Sequence, residues 1–415
     1  MHEEAGWQRA PLESLATLVM GQSPPSASIS FTGAGLPFIQ GNAEFGFSYP
    51  KPQKVCSDPI RIAETGDVLI SVRAPVGSLN RAHIRLCIGR GLAALRFEKL
   101  IAPEFGWYAM QGAVGDLVAL AQGSTFQAVG KPSLGTLALP VPPLKDQRAI
   151  AAILQSVDSS IDTTRIVIEQ LQVVKEAMLV ELLSRGIPGR HNRFRTSGLG
   201  DVPEDWEQLT LEELGFPGEQ VVRSGPFGSS MKTKDFRSTG TPVLTIQSLG
   251  EGGLRREGLF FVDDEKAAEL SEYRLRGGDL VFSRVADIGR SVAIDDTSNG
   301  WLISPNLMRI RLDPARMNAR FVMYAITLGR IARRQIEEIA GNAGRQVVSS
   351  TFLKRISLLV PPLAEQAEIA RLGQQIEKRL SSEVALLEAL TLLKSVLLPA
   401  LLSGEIRVTP DEAPA

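Results

Sequence analysis

Cysteine and histidine are scarce in this chain of 415 residues. Only Cys56, Cys87, His2, His83 and His191 occur. That supply excludes a disulfide framework, a redox CxxC pair and a Cys/His zinc cluster. An excess of one charge is also missing. Lys+Arg is 45 and Asp+Glu is 46, a formal net charge of −1, so the total argues neither for nor against a polyanionic partner. The opening MHEEAGW has no basic stretch leading into an apolar one, so no signal peptide is expected. The most apolar run, Leu386 to Leu402, is interrupted by Glu388 and Lys394 and reads as too short to span a bilayer. Hydrophobic residues at 44% and charged residues at 22% are ordinary for folded proteins, which excludes a disordered or fibrous chain. The expectation is a soluble, multidomain, cytoplasmic protein with no membrane partner.

Catalytic signatures are missing as well. There is no GxxxxGK[ST] phosphate loop and no HExxH zinc helix, and Gly33-Ala34-Gly35 is a lone GxG without the rest of a dinucleotide site. Gly123-Ser124-Thr125 has no histidine at a matching place, so it is no nucleophile elbow. His83 reads as a surface or loop residue, and Cys56 and Cys87 as small packed residues. Neither a catalytic residue nor a metal ligand is assigned.

A repeat is present. VPPLKDQRAIAAIL from Val141 lies 219 residues before VPPLAEQAEIARLG from Val360, and that spacing holds without a gap from about Ala121 to Ile187. Gln127 then meets Gln346, Gln147 meets Gln366, and Lys175 meets Lys394. Toward the N-terminus the match continues at smaller spacings. Trp7 meets Trp206, Gly66-Asp67 meets Gly278-Asp279, Leu92–Arg96 meets Leu307–Arg311, and Tyr108 meets Tyr324. Order kept over nearly the whole chain marks an internal duplication, with insertions confined to loops.

Each copy divides in two. Short apolar runs bounded by turn residues predict strands at Leu36–Ile39, Val68–Val72 and Leu92–Phe97, and again at Pro242–Ile246, Leu280–Ser283 and Leu307–Leu312. A helix is predicted next, over about 103–121 and 318–340, with a shorter first helix as the runner-up because of Gly106, Gly112 and Gly115. After each Pro-Pro pair, apolar residues recur at spacings of three and four. The first stripe is Ile150, Ile153, Leu154, Val157, Ile161, Ile168, Leu171, Val174, Met178 and Leu182, and the second Ile369, Leu372, Ile376, Leu380, Leu387, Leu390, Leu393, Leu397 and Leu401. A stripe sustained over about five heptads is a coiled-coil pattern. Two copies can bury their seams against each other, and an antiparallel pair is the simpler geometry. The competing reading has each helix packed on its own domain. Gly186 to Gly200, rich in Gly and Arg, reads as the linker between copies.

The fold class expected is therefore α+β, with two globular domains related by duplication and joined by two long helices that form an antiparallel coiled coil. The blocks are 1–143, 144–186, 187–362 (linker and second globular domain) and 363–415 (second helix and tail). Asp67 and Asp279 correspond, but each follows Gly at a strand start, where a turn role is favoured over catalysis. A duplicated, non-catalytic unit suits double-stranded DNA, whose strands are themselves related by dyads. Arginine outnumbers lysine 33 to 12, and arginine pairs bidentately with guanine edges and phosphates. Candidate DNA-contacting loop residues in copy one are Gln22, Ser23, Asn42, Arg73, Arg81, Arg90, Thr125 and Gln127. In copy two they are Ser224, Lys232, Lys234, Gln247, Arg284, Arg290, Asn306, Arg345 and Gln346. Gln127 and Gln346 stand out as identical residues in Gly-rich loops. Sequence readout is expected where the copies differ. A cryptic enzyme, or a coiled-coil scaffold with two protein-binding heads, are the readings that compete.

The order WQRAPLESL, GDVLIS, a Gly-Ser-Thr loop, VPPLKDQRAI and KEAMLVELLSRGI returns as WEQLTLEEL, GDLVFS, VPPLAEQAEI and LKSVLLPALLSGEIRV. It resembles the specificity subunit of type I restriction-modification systems over essentially the whole chain. The resemblance implies two target recognition domains, each reading half of a bipartite asymmetric DNA site. It also implies helices that set the spacer and dock two modification (methyltransferase) subunits and the restriction subunits. S-adenosylmethionine would then act on the modification subunits, and ATP and Mg on the restriction subunits, with no cofactor in this chain. Arg73 and Arg284 lie one position out of register, so a shared role for that pair is not expected.

Overall fold

The computed structural model describes residues 7–98, 100–122, 128–197, 200–250, 253–285, 288–342 and 347–408. The chain forms two compact units, Met1–Thr164 with Leu386–Ala415, and Arg165–Ala385. The division runs through both long helices, so each unit owns one globular half and part of each helix, where the sequence reads as four consecutive blocks.

In the first unit the strands of the two main sheets are β1 (Ala16–Met20), β2 (Ile29–Ser30), β3 (Leu36–Ile39), β4 (Lys54–Cys56), β5 (Ile62–Ala63), β6 (Val68–Ser71), β7 (Leu79–Arg81), β8 (Leu86–Ile88) and β9 (Leu92–Phe97). One antiparallel sheet runs β1-β9-β6-β7, and a second runs β2-β4-β3-β8-β5 with β3 and β8 parallel. β9 is apolar along nearly its whole length because both its faces are covered. Ala93, Leu95 and Phe97 pack toward helices α1 (Pro103–Gly112) and α2 (Val114–Gln122), while Leu92 and Ala94 pack toward the second sheet. The strand period of two divides its side chains between two cores. A single helix over 103–121 is not what forms. The turn at Ala113 splits it, just after Gly112, where a Cβ would meet Leu402 Cδ1 at 2.5 Å. Cys56 and Cys87 are free and fully buried against Phe38, and His83 is exposed beside the Tyr49 ring. The first long helix, α3, spans Leu144–Arg185.

The second unit repeats the plan with β10 (Val222–Ser224), β11 (Thr241–Leu244), β12 (Phe260–Val262), β13 (Leu280–Ser283), β14 (Ser291–Ala293), β15 (Leu302–Ile303) and β16 (Leu307–Ile310). The sheets run β10-β16-β13-β14 and β12-β11-β15, again with one parallel pair, β11 and β15. The predicted helix over 318–340 is likewise two, α4 (Ala319–Thr327) and α5 (Arg330–Asn342), split at Leu328-Gly329. The second long helix is α6 (Leu363–Ser403).

Two expectations are corrected. The supposed linker is partly a packed hairpin, Phe194–Ser197 against Gly200–Pro203. The His191 side chain there is only 5% exposed and sits 2.9 Å from Glu365 Oε1. Glu365 is a buried carboxylate that also accepts from Ile187 N and Trp206 Nε1, and a buried charge needs such partners. The apolar run in α6 is likewise not too short. It lies in an unbroken 41-residue helix that, by length and composition alone, is long and apolar enough to cross a membrane, with a mean hydropathy of 1.9 over its best window. Its Leu401 and Leu402 nonetheless pack into the core of the first unit.

The stripes behave as seams. Sixteen of the nineteen stripe positions are not exposed; Ile153, Val174 and Leu393 are, as are Ile166 and Val173 on α3 and Leu392 and Val396 on α6, which lie outside the stripes. In the first unit the N-terminal part of α3 and the C-terminal part of α6 share one core. In the second, the C-terminal part of α3 and the N-terminal part of α6 share another. That is the antiparallel coiled coil, and the narrow three-four stripe is what it requires.

Three polar devices recur in both copies and hold each globular half on the helices. Gln147, fully buried, accepts from Ala102 N at 2.8 Å and donates to Leu100 O and Pro142 O. Gln366 does the same with Asn318 N, Arg316 O and Pro361 O. The glutamine after each Pro-Pro-Leu thus satisfies backbone groups that would otherwise be buried unpaired. Asp67 and Arg96 form a bidentate pair at 2.9 Å, as do Asp279 and Arg311 at 2.7 and 2.8 Å. Both aspartates also accept a turn N–H, from Glu64 and Arg276, which establishes their structural role.

The third device crosses between the long helices. In the first unit, Lys394 of α6 lies 2.6 Å from Asp158 of α3, and Tyr108 Oη donates to Asp158 at 3.1 Å. In the second, Lys175 of α3 lies 3.7 Å from Glu377 of α6, which Arg320 also reaches at 3.2 Å, beside Tyr324. Each copy supplies the carboxylate that takes the other copy's lysine. Burial, then the neighbouring carboxylate, pushes both tyrosine hydroxyls well above their ordinary range.

Candidate nucleic-acid interface

Short backbone ties gather most of the candidate residues at one end of each four-stranded sheet. In the first unit Gly21 N bonds Leu92 O at 2.9 Å, Gln22 N bonds Ile88 O at 3.1 Å, and Val72 N bonds Gly91 O at 2.9 Å. Gln22, Arg73 and Arg90 therefore share this edge, and all three side chains are exposed. Asn42 joins it through Ser78, whose Oγ accepts from Asn42 Nδ2 at 3.3 Å, with the Ser78 N–H held by Ser71 Oγ. Ser23 follows Gln22, but its Oγ is buried without a hydrogen-bond partner among the described residues.

The second unit builds the same edge from different residues. Gly225 N bonds Leu307 O at 2.8 Å and Arg284 N bonds Asn306 O at 3.2 Å, which places Ser224, Arg284 and Asn306 together. Gln247 sits in the turn after β11, and Ser304 N ties to Leu244 O in that strand. Gly21 and Gly225 do the same work in both copies. A Cβ at either would collide with a facing carbonyl, of Gly89 or Ser304, so only glycine lets the strand end press against the turn. Lys232 and Lys234 are exposed on the turn at Thr233–Asp235.

Two candidates lie apart from these edges. Arg81 pairs with Val68 at the far end of β6, and its guanidinium stands over the rings of Trp107 at 5.0 Å and Tyr49 at 5.8 Å. Arg290 belongs to the β13–β14 turn and donates to Leu249 O, lining a cavity with Lys175, Tyr324 and Glu377. Thr125, Gln127, Arg345 and Gln346 lie outside the described residues. The chain on their C-terminal side is anchored at the edge in both copies. Ala128 bridges Arg73 with Val129 N on Val72 O, and Val347 bridges Val285 with Val348 N on Arg284 O. These bridges make Arg73 the counterpart of Val285 and Arg284 the counterpart of Val72, the one-residue slip expected from the sequence.

One edge residue escapes a search confined to polar side chains. Phe227, 82% exposed, stands on the loop leaving β10, between Gly225 and Gly228. Exposed aromatic faces stack on bases or wedge between them. The available signal was an aromatic flanked by glycines where nothing apolar is needed. Among the described residues no group of three His, Cys, Asp or Glu is arranged to hold a metal.

The family model described as Type I restriction modification DNA specificity domain matches residues 4–173 and 203–392. The MjaX type I restriction enzyme specificity subunit of Methanocaldococcus jannaschii is 40% identical over 173 residues, which is 41% of each chain. The StySPI specificity subunit of Salmonella potsdam is 24% identical across 93% of this chain and 87% of its own length. The EcoKI specificity subunit of Escherichia coli is 22% identical across the same shares. The crystal structure of the type I restriction-modification S subunit from M. genitalium shares the fold, with a TM-score of 0.63, 15% identity and 97% of both chains covered.

Proposed function

Because this chain belongs to the type I restriction-modification DNA specificity family, we infer that it is the non-catalytic subunit that reads DNA sequence for such a complex, each unit reading one half of a bipartite, asymmetric site. One observation carries the reading. Two equivalent sheet edges, built by the same backbone ties, present different side chains: Gln22, Asn42, Arg73 and Arg90 against Ser224, Gln247, Arg284 and Asn306. Identical scaffolds with unlike reading groups are what an asymmetric site demands, since phosphate contacts position and base contacts specify. The apolar side chains left exposed on the long helices support docking of two modification subunits there, with restriction subunits completing the assembly. S-adenosylmethionine, ATP and Mg then belong to those partners.

The test is retardation of a duplex by the chain purified with its modification subunits. A specific complex resists competitor DNA at moderate salt, and mapping methylated adenines with and without this chain reveals the site. Binding with no sequence preference over competitor sinks the reading. Substituting edge residues of one unit then relaxes one half-site only, by about 1–3 kcal/mol per base pair misread.

A further inference from the structure

The second unit contains a cavity of about 570 Å³ lined by Arg223, Arg274, Arg276, Arg309 and Arg311. Two carboxylates, Glu219 and Glu272, share the lining, leaving an excess of guanidinium. Arg309 is only 5% exposed and lies mid-strand in β16. Its Nη1 donates to Glu272 O at 3.0 Å and Arg274 O at 3.2 Å, while its Nε is buried with no partner among the described residues. Arg223, opposite it on β10, pairs with Glu272 through Nη1 and also leaves its Nε buried and unpaired. Burial, followed by the charge of Arg311, with Arg223 and Arg276 adding to it, pulls Arg309 down to about 10. Two backbone carbonyls hold the group in place, and the charge of Asp279 offsets part of this electrostatic cost.

The duplication shows that the fold does not need it. Arg309 corresponds to Ala94, and the residue paired with Ala94 on β1 is Val19, where the second unit has Arg223. Ala94 and Val19 simply pack in an apolar cluster. The same two sheet positions are filled by a small and a branched apolar residue in one copy and by two partly unpaired arginines in the other. We propose that this cavity is an anion site that binds a phosphate group, with Arg309 and Arg223 at its floor and Arg276 at its exposed rim. A phosphate group in the cavity accepts from guanidinium N–H donors that line it and offsets the excess cationic charge. A DNA backbone phosphate and free phosphate share this chemistry, and only the DNA assignment rests on the function proposed above.

The experiment has two arms, run on wild type, Arg309→Met and Arg276→Gln. Arg309→Met keeps side-chain volume where the other copy already carries an apolar residue. Arg276→Gln alters an exposed side chain, so it keeps the test valid if the first variant folds poorly. In the first arm the full chain is titrated with inorganic phosphate at constant ionic strength, read by phosphorus NMR and thermal midpoint. Wild type is expected to saturate, with affinity falling on the order of tenfold in each variant. In the second arm the salt dependence of duplex binding by the complex with modification subunits is measured. If the source is DNA, each variant weakens all sequences alike and lowers the slope by about 0.9. Loss of phosphate binding with an unchanged DNA slope assigns the site to free phosphate. No phosphate binding by wild type together with an unchanged slope in both variants overturns the proposal. A wild-type complex that binds no duplex specifically defeats the function proposed above, and the phosphate titration still decides the cavity.

Discussion

The reciprocal lysine–carboxylate pairs between α3 and α6 lead to an unequal outcome. In the first unit Lys394 is the only cation on Asp158 among the ion pairs of the described residues, at 2.6 Å, with the two side chains 22% and 20% exposed. Two charges about 4 Å apart attract by ~4 kcal/mol at an effective dielectric of about 20. Partial desolvation takes back much of this, so a double-mutant cycle of Lys394→Met and Asp158→Asn is expected to give a coupling of about 1–2 kcal/mol. In the second unit Glu377 is 7% exposed and held by both Lys175 and Arg320. Lys175→Met leaves one cation in place and should cost under about 1 kcal/mol, near the exposed-pair range. Glu377→Gln removes the partner of both cations and should cost more than Lys175→Met, about 1–3 kcal/mol, because Lys175 and Arg320 are 20% and 30% exposed and keep some access to water. The assay is urea unfolding followed by tryptophan fluorescence, with m-values checked for constancy. The tryptophans divide evenly, Trp7 and Trp107 in the first unit and Trp206 and Trp301 in the second, so backgrounds with the tryptophans of one unit replaced by phenylalanine report on the other. A coupling near zero at Lys394–Asp158, or equal losses for Lys394→Met and Lys175→Met, would refute the account.

Other outcomes follow from the same geometry. Asp279→Ala leaves Arg311, 9% exposed, without a carboxylate partner and with only Arg274 O to donate to, and should destabilise by about 3–5 kcal/mol. Asp67→Ala should cost less, because Arg96 is 28% exposed and reaches water; chemical denaturation ranks the two, and a reversed order contradicts the burial argument. Phe227→Ala should leave the thermal midpoint within about 1 °C of wild type, since an 82% exposed side chain adds little to the core, while weakening duplex binding measurably in a gel-shift titration. Burial and then Cys56 raise the Cys87 thiol from 9.0 to about 12. The unfolded chain ionises this thiol near 9 while the folded chain keeps its proton, so its stabilising contribution is complete below pH 9 and falls away as pH rises toward 12. Denaturant midpoints measured across that window, compared with Cys87→Ala, read the effect, and the native thiol should resist alkylation at pH 8.

The duplication was the most legible property of the chain. It predicted the paired strands, the long helices and, with them, that the seam positions Ile150, Leu154, Ile369 and Leu372 face inward. Such patterns are local, and a period of two or of three-four survives whatever the rest of the chain does. The places where reading along the sequence failed are places where distant atoms decide. The helices after β9 and β16 each break in two, at Ala113 just after Gly112 and at Leu328-Gly329; the glycines of the first hinted at a shorter helix, but a second helix beyond each break leaves no periodic trace. The stretch after α3 looked like a linker because its composition is that of one, yet Glu365, far along the chain, draws His191 and Trp206 around itself.

The candidate interface divides the same way. Polar residue types in glycine-rich loops located Gln22, Arg90, Ser224 and Asn306 at the sheet edges, since a loop between strands must emerge at one end of the sheet or the other. Which end, and in whose company, was settled by hydrogen bonds between residues dozens of positions apart. Those bonds set Arg81 against two aromatic rings and put Arg309, by composition an ordinary strand arginine, into a cavity with four others. By itself the sequence determined that the chain is one unit written twice, because repeated spacing needs no third dimension. Only the tertiary structure decided where the differences between the copies lie and what surrounds them, because an arginine's surroundings, unlike its identity, are made by residues elsewhere in the chain.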